Sequence, residues 1–166
     1  MKKLLVFAVA ILGFSAFSFG QNTATQTANA LVVKTITITS GTNLDFGTFA
    51  SRNLVASTVV LGLDGSRTNS TANTLGNDGS AGTFVLTGDA GHLVTIGLPS
   101  GVTNLTGSGA AMTIASTDWI TDGGVLGSFT ITGGTRTLTV GATLNVGANQ
   151  TAGAYSGTYN VTANYN

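Results

Sequence analysis

Apolar and polar residues alternate along most of this chain. Across 137–146 the even positions are Leu138, Val140, Ala142, Leu144 and Val146, with Thr, Gly or Asn between them. Across 155–166 the odd positions read Tyr155, Gly157, Tyr159, Val161, Ala163 and Tyr165, and the even ones are Ser, Thr or Asn. A period of two, rather than 3.6, puts one apolar face and one polar face on an extended strand. Shorter runs repeat the pattern at 32–39 (Ile36, Ile38), 58–63 (Val59, Leu61, Leu63), 83–87 (Phe84, Leu86) and 93–98 (Val94, Ile96, Leu98). It recurs at 112–115 and 128–132 (Phe129, Ile131), with 44–49 as a shorter candidate. Eight or nine strands are predicted, and no helix of ordinary length. The pieces 64–80, 99–109 and 116–124 are rich in Gly, Asn, Asp and Ser and read as turns and loops. Sheets wet on one face bury the other against a second sheet, so the fold predicted is an all-β antiparallel sandwich.

The polar face is built largely from threonine, of which the chain has 29. Threonine is β-branched and suits a pleated backbone, and its hydroxyl keeps the surface wet without charge. One echo is visible, Gly82-Thr83-Phe84-Val85-Leu86-Thr87-Gly88 against Gly127-Ser128-Phe129-Thr130-Ile131-Thr132-Gly133. Shared composition explains it as well as duplication does, and two copies fall short of the roughly three repeats a solenoid needs.

The N-terminus departs from the alternation. Lys2 and Lys3 precede an apolar run over 4–14, and Ser18-Phe19-Gly20 puts small residues before Gln21. That is the layout of a secretory signal peptide cut between Gly20 and Gln21. As a helix, residues 4–20 would reach about 26 Å, short of the roughly 30 Å hydrocarbon core, and no second long apolar run follows. The expected organisation is a signal peptide over 1–20, a polar leader over 21–30 and one sandwich domain over 31–166. The mature chain is expected to have no membrane span.

Composition narrows the chemistry. Of 166 residues only 7% are charged, against a usual share of about 25%; Cys is absent, and His92 is the single histidine. Beyond residue 20, four Lys and Arg face six Asp, a net charge of −2 that gives nucleic acid no basic surface. Without cysteine there is no disulfide, thiolate nucleophile or thiolate-held metal. A hydroxyl nucleophile needs a base, and His92, beside Gly91 at a strand start, reads as a solvent-facing strand end. Asp64, Asp78 and Asp122 each precede glycine and read first as turn residues. Asp45, Asp89 and Asp118 complete the carboxylates, and none lies in an aspartic-protease motif. Calcium could draw on Asn77-Asp78-Gly79 or on Asp118 with Asp122, but no ligand ladder or glutamate supports it. Trp119 reads as a loop indole, either stacking on a sugar or capping the core. No catalytic residue, metal site or cofactor is expected.

The segment 141–166, with Gly141, Leu144, Val146, Ala152-Gly153, Tyr155-Ser156-Gly157, Tyr159, Val161-Thr162 and Tyr165, resembles the C-terminus of a large bacterial family of exported proteins. That family is catalogued only as a domain of unknown function. Leu44-Asp45-Phe46-Gly47, Gly82-Thr83-Phe84 with Thr87-Gly88, and Leu98-Pro99 resemble its other marks. The family is more distantly similar to fimbrial subunits and the spore-coat-U group, which are Ig-like, pilin-like sandwiches exported by chaperone and usher. The resemblance implies a structural or adhesive protein of a Gram-negative bacterium in the periplasm, at the cell surface or outside the cell. Its partners would be further copies of itself or a periplasmic chaperone and usher. The disulfide of many fimbrial subunits is missing. A strand over 155–166 would offer an edge for strand addition, marked by Tyr155, Tyr159, Val161 and Tyr165, or 31–38 would be donated to a neighbour. The rival reading is a secreted monomeric glycan-binding module.

Overall fold

In the computed structural model of the chain, residues 20–68, 70–76, 78–122 and 127–166 are described. The signal-peptide reading, apart from Gly20, lies outside the described residues, as do Asn77 and Gly123. Residues 20–36 carry no regular secondary structure. The strands are β1 (Thr37–Ser40), β2 (Phe49–Ala50), β3 (Ser57–Leu61), β4 (Asn73–Thr74), β5 (Gly82–Thr87), β6 (Leu93–Gly97), β7 (Thr103–Gly107), β8 (Met112–Ile114), β9 (Trp119–Thr121), β10 (Ser128–Thr130), β11 (Thr135–Val146), β12 (Tyr155–Ser156) and β13 (Thr162–Tyr165). Every pairing is antiparallel, and no helix occurs among the described residues. The all-β antiparallel fold is the one the alternation predicts. Thirteen strands replace eight or nine because several are only two or three residues long.

The longest strand organises the molecule. Along one side of β11, β5 pairs with 135–140 and β3 then takes over at 142–146; β9 and β8 lie along the other. The large curled sheet runs β1-β5-β11-β8-β7-β12, with β3 and β9 also on β11. The handover falls at Gly141, where an added Cβ would run into the Leu61 carbonyl. The alternating apolar row of β11 is fully buried from Leu138 to Leu144. A three-stranded sheet, β10-β6-β13, supplies Val94, Ile96 and Phe129 to the same core. The outward register lines up Thr37, Thr87 and Thr135 across three strands, with Thr39, Val85 and Thr137 in the next row. The echoed segments part company here, since β5 belongs to the large sheet and β10 to the small one.

Several stretches differ from the sequence expectation. The presumed loop 64–80 contains β4, 99–109 contains β7, and 116–124 contains β9. The alternation of 32–39 becomes paired strand only from Thr37, while 44–48 is irregular apart from a bridge between Asp45 and Ser80, and Phe49 opens the two-residue β2. The twelve residues 155–166 are not one strand: β12 pairs with β7 and β13 with β6, in different sheets.

Candidate functional site

The six aspartates are scattered, and each is engaged. The Asp45 carboxylate accepts from the Gly47 amide, and Asp64 accepts from the Ser66 amide and hydroxyl. Those bonds, the Ser66 hydroxyl first, hold the Asp64 carboxyl below its usual range. Asp118 accepts from Asn145 at 2.9 Å, while Asp122 accepts from the Thr139 amide and stands 3.8 Å from Arg136. No group of three metal-ligating side chains occurs among the described residues. His92 packs edge-on against Tyr165, with Nε2 4.0 Å from Asp89.

Among the described residues the most connected polar side chain is Arg67, which the sequence leaves inconspicuous inside a loop. Its side chain is only 2% exposed. Nη1 donates to the carbonyls of Phe46 (3.0 Å) and Thr48 (2.8 Å), and Nη2 to those of Leu75 (2.9 Å) and Gly76 (2.7 Å). Nη2 also meets Asp78 Oδ1 at 2.8 Å. Asp78 Oδ2 in turn accepts from the Thr48 amide and hydroxyl. That hydroxyl is the main cause that keeps the Asp78 carboxyl below its ordinary range, with the guanidinium adding to it. One planar cation thus knots segment 46–48 to segment 75–78, a task that a fork of donors suits and a point charge does not. Asp78, a turn residue by sequence, is the anchor of this knot.

Segment 43–51, which the knot holds, forms one wall of a cleft of about 920 Å³. The opposite wall is 150–157, and Leu105, Met112, Ile114 and Leu144 lie beneath. Bonds from Ser51 Oγ to the Gln150 carbonyl and from the Asn149 amide to the Arg52 carbonyl join the walls at one end. The wall at 150–157 is pinned by Gln150 Nε2 donating to Tyr155 Oη, which donates to the Thr151 carbonyl. Met112, Ile114 and Leu144 are almost wholly buried, so the core beneath is already closed by the chain itself.

The residues marked as an assembly edge turn inward. Val161 is buried, while Tyr155, Tyr159 and Tyr165 pack against the core half-buried. Tyr159 lies 4.7 Å from the Trp119 ring and 5.8 Å from Phe84, and burial raises its phenol pKa. Trp119 is 2% exposed in β9, so the indole caps the core and offers no stacking platform. An added Cβ at Gly82 would strike Tyr159 Oη, and one at Gly88 would strike Tyr165 Oη. Tyr165 Oη also takes the Asp89 amide proton. Two motifs set apart in the sequence are therefore halves of one contact. Their equal spacing, Gly82 to Gly88 and Tyr159 to Tyr165, was the signal available for finding it.

Of the strand edges, β3 is closed. The Thr58 amide donates to Thr71 Oγ1 and the Val60 amide to Ser70 Oγ, while the Thr71 and Ala72 amides donate to the Thr58 carbonyl. Among the described residues β1 pairs with β5 alone. Gly20 and Gln21, flanking the expected cleavage point, are exposed.

Residues 36–165 match the family model described as Domain of unknown function (DUF4402). No curated protein and no solved structure matches the chain.

Proposed function

The chain belongs to the DUF4402 family, and we propose for it a non-catalytic structural or adhesive role as an exported surface subunit that assembles by β-strand addition. The observation that carries this reading is the segment leading into β1. Leu31 and Val32 stand 84% and 92% exposed, and Ile36 and Ile38 alternate with threonine up to a strand paired on one side only. An unpaired row of backbone donors and acceptors with strong β propensity is a template for another strand. The scattered, individually engaged aspartates and the lone imidazole supply no nucleophile, base and oxyanion site together.

Light scattering on residues 21–166 and 37–166 tests the reading. The longer chain is expected to form larger species and the shorter to remain a folded monomer. A monodisperse monomer of 21–166 at high concentration overturns it. A second reading, a secreted glycan-binding module, has the cleft as its site, with Phe49 and Tyr155 among its lining; retention of 21–166 on a glycan array would favour it.

A further inference from the structure

We propose that Gln21, once the signal segment is cut away, closes on its own α-amine to form a neutral pyroglutamyl ring that caps the exported chain. This rests on the exported reading and adds a modification site that the reading does not itself require.

The step needs only atoms that residue 21 carries. A cut between Gly20 and Gln21 frees an α-amine whose nitrogen, with Cα, Cβ, Cγ and Cδ of the same residue, makes up a five-membered ring. The nitrogen bonds to Cδ, the bond from Cδ to Nε2 breaks, and the side-chain nitrogen leaves as ammonia. Nothing is oxidised or reduced. An ordinary α-amine has a pKa of about 7.7–8.0, so near neutral pH a share of it carries the lone pair that attacks. Nucleophile and carbonyl sit in one residue, so the encounter is already made. The neighbouring residue shows how much depends on the position of the cut. One residue later the chain would begin at Asn22, whose shorter side chain could close only a strained four-membered ring.

The local structure leaves the ring free to form. Every residue from Gly20 to Val32 is exposed, and 20–36 has no regular secondary structure. No strand ladder therefore holds the backbone of Gln21 against the inward turn of its side chain. The cap also changes the arm. It removes the α-ammonium, and since 21–33 hold no charged side chain, Lys34 becomes the first charge and the single amine of the chain beyond residue 20. Exposed chain ends are where proteolysis concentrates, and an exopeptidase that grips a free α-amine finds none here.

The full chain, exported from a Gram-negative host, tests it. Its amines are dimethylated before trypsin is added, which blocks cleavage at Lys34 and makes 21–52 the N-terminal peptide. That peptide is expected to carry one label, at Lys34, and to be lighter by one ammonia, about 17 Da. The Lys34 label shows within the same peptide that labelling went to completion. Gln21→Asn should restore a second label, at the α-amine. Two labels on a parent peptide that begins at Gln21 overturn the ring and leave the exported reading standing. A block that persists in Gln21→Asn overturns it as well. A peptide that begins elsewhere moves the cut and removes the cap with it, and one continuous with residues 1–20 removes both the cap and the exported reading.

Discussion

A single guanidinium fixes more backbone than any other side chain described here. Removing it leaves four carbonyls and a carboxylate without their cation, so Arg67→Ala is expected to destabilise the fold by about 3–5 kcal/mol in a urea titration. Arg67→Lys should recover only a minor part, because an ammonium cannot span both pairs of carbonyls. The Asp78 carboxyl is held below its ordinary value of about 3.9 in the fold. Its contribution is therefore complete above that pH and disappears as the pH falls through the lower folded-state value. Asp78→Asn should lower stability at neutral pH and flatten the acid limb of a stability profile below about pH 4. An acid limb as steep as the parent's would show that Asp78 does not govern it. Nothing in the sequence marks Arg67: a cation among Gly, Asn, Asp and Ser looks like surface, and its burial depends on carbonyls up to 21 residues away.

At the level of elements, the Gly82–Tyr159 and Gly88–Tyr165 contacts lock β5 to the C-terminal segment. Gly88→Ala is expected to destabilise by about 1–3 kcal/mol through overpacking, and Tyr165→Phe should recover part of that loss, so a double-mutant cycle would show coupling. Additive effects would rule the contact out. The row from Leu138 to Val146 was legible because a long strand with one buried face writes its period directly into the sequence. β7 was not, since only Thr103 and Leu105 mark its inner side amid Gly, Ser and Asn. The stretch 155–166 misleads for a different reason. Its tyrosines, Val161 and Ala163 all face inward, yet the backbone crosses from β7 to β6 on the way. Hydrophobic period records which way a side chain faces, and it is silent about which strand lies alongside.

For the molecule as a whole, hydroxyls take the place that charge holds on most surfaces. The expected assembly depends on backbone pairing and apolar cover, with one lysine in the contact. The light-scattering size of 21–166 should therefore change little between low and high salt, whereas an electrostatic contact would loosen as screening increases. The exported location and the partner belong to that proposal; the all-β fold and the shared core were readable from alternation alone. Which edges stay open was not, because the hydroxyls of Ser70 and Thr71 that shut β3 look in sequence like any other loop residues.

The central position of β11 also orders events in time. A chain that emerges N-terminus first presents β3 and β5 long before residues 135–146 arrive to join them, and loops of about fifty to ninety residues must close before the core can form. Until β11 is available, β3 and β5 lack the strand that joins them in the fold, so the large sheet is expected to close late in the life of the growing chain.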